Sequence, residues 1–166
     1  MTRRHAPRCS STLPKRLVAC CLLLAAAAAP AGSLQTGESL PALALRDQHA
    51  KALPVAPDTR IIFFAAEMAS SQVMAKALEG LPPTALRDRK AIYIADISRM
   101  PEPISTIVAM PRMRQLPYPV AVVRHAADAA LLPRRHGAVT VLRSEGGRIS
   151  AVDYAQTPAQ VSHYLK

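Results

Sequence analysis

Cysteine is confined to the first 21 of the 166 residues, at Cys9, Cys20 and Cys21, and no thiol follows. Glycine is scarce as well. The six glycines are Gly32, Gly37, Gly80, Gly137, Gly146 and Gly147, and none stands in G-x-G spacing. The backbone cradle that receives a dinucleotide pyrophosphate is therefore missing. Tryptophan is absent, and two Phe and four Tyr supply all the aromatic surface. The bases Arg87, Arg89, Lys90, Arg112, Arg114, Arg134 and Arg135 lie in short clusters broken by acids such as Asp88. Nucleic-acid recognition wants a continuous basic face with stacking rings, so no nucleic-acid partner is expected.

Acidic residues are missing from the first 31 positions, which hold five bases: Arg3, Arg4, Arg8, Lys15 and Arg16. The formal charge of +10 is thus partly local, and the remaining 16 bases and 11 acids leave +5 for the rest of the chain. After Lys15-Arg16 comes an apolar run, Leu17 to Ala29, and then Pro30-Ala31-Gly32-Ser33. This is the basic, apolar and small-residue order of a secretory signal peptide. About 13 to 15 apolar residues fall short of the ~20 that span a bilayer, so cleavage after Ala31 is expected rather than a membrane anchor. Leu17-Val18-Ala19-Cys20 has the residue types of a lipoprotein site, but its apolar core follows the cysteine. Arg3-Arg4 lacks the usual twin-arginine continuation. The reading is a signal peptide over residues 1–31 and one exported, periplasmic domain over residues 32–166, its mature form free of cysteine.

The 135 residues from 32 to 166 suffice for one core. Gly37 to His49 alternates apolar and polar residues and predicts a short edge strand, where Pro41 is tolerated. Arg60 to Ala66 is a continuous apolar run, which fits a strand buried on both faces. Ser70-Ser71 then caps a helix through Val73, Met74, Ala77, Leu78 and Leu81, stopped by Pro82-Pro83. Ala91 to Ile97 is a second buried strand, so strand, helix and strand make a right-handed parallel crossover. A short helix from Ile104 to Met110 is limited by Pro111, and Val120 to Val123 is a third strand. Ala138 to Arg143 and Arg148 to Tyr154 alternate around Glu145-Gly146-Gly147, as a hairpin requires. Thr157-Pro158 opens a closing helix through Val161 and Leu165. The fold class is α/β: a three-layer sandwich with a central mixed sheet, parallel crossovers first, then a C-terminal β-hairpin and a helix.

This order, with the lead-in Gly37-x-x-x-Pro41-x-Leu43-x-Leu45-x-Asp47, resembles the thioredoxin-like superfamily and its peroxiredoxin-type branch. The resemblance covers most of residues 37–166. It implies a strand-turn-strand from Tyr118 to Leu132 and a functional loop directly after Ile61 to Ala65. Where redox-active members carry Cys-x-x-Cys, this chain reads Met68-Ala69-Ser70-Ser71. Disulfide exchange requires a thiolate, which neither Ser nor Met supplies. The family's cis-proline position falls on Gly137-Ala138, or on Pro119 if the hairpin is shifted upstream. The expectation is a non-redox member without a cofactor, binding a periplasmic protein or small ligand.

Glu67, Met68, Ser70 and Ser71 form the candidate binding loop, because a helix N-terminus presents free N–H groups to an anion or carbonyl; Met110 to Tyr118 is its neighbour. Met110-Pro111-Arg112-Met113 has a spacing that thioethers use to hold Cu(I), so metal handling through Met110 and Met113 is an alternative, against gap-filling in the core. His49, His125, His136 and His163 show no zinc spacing. No serine sits in G-x-S-x-G, so an enzyme of non-thiol chemistry has no visible constellation. Asp96, at the end of a buried strand, either meets a ligand or caps Ser98 to Met100.

Overall fold

A computed structural model describes residues 33–166. The leader, its cleavage site and all three cysteines lie outside the described residues. Among the described residues, no helix is long and apolar enough to cross a membrane.

The strands are β1 (Arg46–Asp47), β2 (Ile61–Ala65), β3 (Ala91–Asp96), β4 (Ala121–Val123), β5 (Val139–Glu145) and β6 (Arg148–Ala155). They form one mixed sheet in the order β1-β4-β3-β2-β5-β6. Strands β2, β3 and β4 run parallel, and β1, β5 and β6 join by antiparallel pairing. The apolar runs become the three central parallel strands, as expected for strands covered on both faces. Alternation then divides the core. Phe63, Tyr93, Ala95, Val139 and Val141 face one way, onto helices α1 (Met68–Leu78) and α5 (Pro158–His163). Ile62, Phe64, Ile94, Val123 and Leu142 face the other way, beneath Leu34, Leu45, Val55 and Leu132.

The hairpin turns on Gly146 and Gly147, with φ of 56° and 74°. Two successive left-handed residues make the tight turn that matches strand twist, and glycine enters that region freely. Helix α5 opens as expected, with Thr157 Oγ1 accepting from Gln160 N at 3.3 Å.

Several expectations are corrected. Helix α1 starts at Met68 with Glu67 as its N-cap, not at Ser70-Ser71. It ends at Leu78 because Glu79 turns extended and Gly80 takes φ of 76°, leaving Leu81 exposed. The edge strand shrinks to Arg46–Asp47. Leu43 and Leu45 spend their backbone groups on Val55 and Leu53 instead of on the sheet. A further turn of helix, α2 (Ala85–Asp88), follows Pro82-Pro83. From Tyr118 to Leu132 only β4 is a strand; Ala126–Ala129 closes into a 3-10 turn.

Pro111 does not end its helix. The chain runs as α3 (Glu102–Ile104), a π-helical segment (Ser105–Ala109) and α4 (Met110–Arg114) without interruption. Proline removes one donor and crowds the carbonyl four residues back. The π segment widens the spiral, with Met110 N donating to Ser105 O five residues back, and so admits the ring.

Candidate functional site

Strands β2 and β5 pair antiparallel with Ala65 opposite Val139. Two residues farther along, the same register sets Glu67 opposite Gly137. The Glu67 carboxylate accepts a hydrogen bond from Gly137 N, and its other oxygen lies 3.1 Å from His136 Nδ1. The Gly137 hydrogen bond is the main cause that holds this carboxyl below its ordinary value of 4.5, with His136 and Arg99 adding to it. At the α1 N-terminus, Ser70 Oγ accepts from Glu67 N at 3.2 Å and donates to Glu67 O at 2.9 Å. Ser70 is fully buried, so it is a helix-end fastener and not a surface contact. Met68 is 57% exposed.

Beside this end of the helix lies Asp96, whose side chain is inaccessible to solvent. Its Oδ1 accepts from Ser98 N at 2.8 Å, which is the capping role read from sequence. Its Oδ2 meets Arg134 Nη1 at 2.6 Å, and the guanidinium also stands 5.1 Å over the Phe64 ring. Glu67, Asp96 and Arg134 with Arg99, Arg135 and His136 line an open pocket of about 360 Å³.

Adjoining this pocket, and sharing Glu67, Met68, Asp96 and Met100 with it, a smaller cleft of about 200 Å³ opens between α1 and the α3–α4 helix. Its floor is β3, through Tyr93 and Ala95, with Ser71 from α1 beside them. Burial pushes the Tyr93 phenol far above its ordinary value, opposed in part by a hydrogen bond with Ser71, and burial also raises Tyr118. The floor is therefore uncharged. The walls are mostly apolar, with Met68, Met100, Ile104, Val108 and Met113, and Glu67, Asp96 and Arg112 stand at the cleft as well. Ile104 and Val108 are 47% and 41% exposed, and Ile107, between them in sequence, is 74% exposed.

The structure thus brings together Glu67, Met68, Ser71 and the segment Met110 to Tyr118, while Ser70 turns inward. Met110 is buried with Ile97 and Val122, and Met100 and Met113 pack against that cluster. Among the described residues, no group of three or more His, Cys, Asp or Glu gathers that is able to hold a metal ion. His136 lines the site, whereas His49, His125 and His163 are not among the residues around its pocket or cleft. No described peptide bond is cis, so Pro119 is trans, and Gly137-Ala138 stands at the start of β5.

Two contributors escaped the sequence reading. Arg134 reaches Asp96 across 38 residues. Gln48, buried, clamps the chain on both sides of Pro119, donating to Tyr118 O at 2.9 Å and accepting from Val120 N at 2.8 Å. A larger groove of about 550 Å³ sits at the opposite end of the sheet, by the hairpin turn, where Lys90 already pairs with Asp58.

No family model matches the chain, and no curated relative matches it in sequence. Solved structures do. The peroxidoxin BcpB of Mycobacterium tuberculosis superposes with a TM-score of 0.52 at 15% identity, over 80% of this chain and 94% of that one. A candidate protein disulfide isomerase of Bacteroides thetaiotaomicron gives 0.54 at 14% identity, over 80% and 89%. The fold is thioredoxin-like. At such identities the likeness is one of fold alone, and the thioredoxin-like scaffold here carries Glu67 and Met68 where β2 passes into α1.

Proposed function

We propose that this chain is an exported, non-redox thioredoxin-like domain that binds a protein or small ligand at the α1 N-terminus. The carrying observation is the composition of that corner: Glu67, Met68 and Ser71 around an apolar cleft, in a chain whose last cysteine is Cys21. Thiol exchange needs a thiolate next to the substrate, and the leader read in the sequence supports export.

The test is twofold. The chain from residue 32 onward is assayed for disulfide reduction and peroxide reduction, and no turnover is expected. In cells, a photo-crosslinking residue at Ala69 should trap one discrete adduct, absent when the crosslinker stands at Lys76. Turnover without cysteine, or equal trapping at both positions, overturns the proposal.

Metal handling is the second reading, because Met68, Met100 and Met113 line one cleft and thioethers suit Cu(I). Anaerobic Cu(I) titration separates the two: saturable binding that is lost in Met113→Ala favours the metal, and its absence favours the binding module.

A further inference from the structure

The cleft between α1 and the α3–α4 helix is built unlike a solvent-facing surface. Ile104 and Val108 are four residues apart, the spacing of a core-facing stripe, yet both are exposed and Ile107 beside them is more so. The π segment carries Ile107 and Val108, and such widened turns recur at functional sites. Three methionines, Met68, Met100 and Met113, share the walls. Unbranched, polarizable thioethers adapt to differing apolar shapes, which is why they recur on binding surfaces.

Charge around the cleft is one-sided. Glu67 is taken by Gly137 N and His136, and Asp96 by Arg134 and Ser98 N. Two of the bases are not taken. Arg112 lines the cleft and Arg99 the adjoining pocket, both are exposed, and neither forms an ion pair with a described carboxylate. An apolar trough whose acids are satisfied internally and whose guanidiniums are free complements one kind of occupant.

We infer that this cleft docks an apolar peptide segment of a partner protein, with an acidic side chain of that segment reaching Arg112. The inference rests on the binding-module reading and names the chemistry of its partner. The apolar residues of the segment cover Met68, Ile104 and Val108, and its carboxylate gains a guanidinium with two N–H donors to offer.

The experiment uses the chain from residue 32 onward and three short synthetic peptides. They share a Leu- and Ala-rich core and carry Glu, Gln or Lys at one position. Calorimetric titration should give saturable binding in the order Glu, Gln, Lys. Ile104→Asp should weaken the Glu peptide at least about tenfold, since it sets a charge opposite the ligand's apolar face. Arg112→Glu should invert the order of Glu and Lys. Leu81→Asp, an exposed apolar position outside the cleft, should leave all three affinities unchanged. Equal binding of the three peptides, no inversion in Arg112→Glu, or an equal loss in Leu81→Asp overturns the inference. So does sedimentation that shows the patch covered by a second copy of the chain. If the Ala69 crosslinker still traps its discrete adduct while every peptide fails, the partner chemistry falls and the binding-module reading stands; if both fail, both fall.

Discussion

The two flanks of the α1 N-terminus differ in one respect that organises the corner. The polar flank is closed: Glu67 pairs with His136 and Asp96 with Arg134, and three of these four also hold backbone groups. The apolar flank is open, with Met68, Ile104 and Val108 in solvent. The Asp96 side chain is inaccessible to solvent, and a buried carboxylate left unpaired is costly, so the fold pairs it internally. Exposed apolar side chains cost little one by one, so they persist where a partner covers them. On the proposed reading, the polar flank serves stability and the apolar flank recognition.

The hardest blow to that division is aimed at Arg134. Arg134→Ala strips the inaccessible Asp96 carboxylate of its cationic partner at 2.6 Å, and breaking such a pair from one side should cost about 3 kcal/mol. Urea denaturation would measure it. A loss below about 0.5 kcal/mol, the ordinary size for a surface change, would mean that the polar flank is not structural. The opposite flank hides a polar clamp of its own. Gln48→Ala leaves Tyr118 O and Val120 N without their partner in the interior, which should cost about 2 kcal/mol and loosen the Tyr118 edge of the cleft. Amide exchange at Val120 should rise with it.

Glu67 gives a smaller effect with a pH signature. Its folded carboxyl sits below 4.5 because Gly137 N and His136 favour the charged form. A depressed carboxylate contributes stability that is fully present above the ordinary value and is lost as pH falls through the folded value. Glu67→Gln should therefore be the less stable protein at neutral pH, and the gap should close as acid is added below pH 4.5. A gap that stays constant through that range would detach Glu67 from the closed flank. Thermal melts of both proteins across the acid range measure it.

What was legible in the sequence follows from how locally each feature is encoded. Strands β2 and β3 are unbroken apolar runs, the hairpin has two glycines in tandem, and α5 begins Thr-Pro; each is specified within a few residues. Asp96 as a cap was legible because its partner Ser98 is two residues away. Gln48 and Arg134 were not, because they act across 70 and 38 residues, and nothing local distinguishes them from surface polar residues. Glu67 was visible as part of a loop, but its partner Gly137 follows only once β2 and β5 are known to pair in register. The helix around Pro111 was misread because a proline normally ends a helix, and the π segment that accommodates it leaves no compositional mark.

The smallest expected effect is the sharpest test of the comparison. Ile104→Gln replaces a 47% exposed apolar side chain by a polar one of similar reach and good helix propensity. If the apolar flank contributed to the core, shortening its apolar contact would cost on the order of 1 kcal/mol or more, as large core changes do. Since Met110, not Ile104, carries the buried side of this helix, the change in unfolding free energy should stay within about 0.5 kcal/mol. The same variant should lower the yield of the adduct trapped at Ala69. A variant that unfolds easily and still traps its partner would exchange the roles of the two flanks: the open one would be the structural element, and recognition would have to be sought among the charges around Arg99 and Arg135.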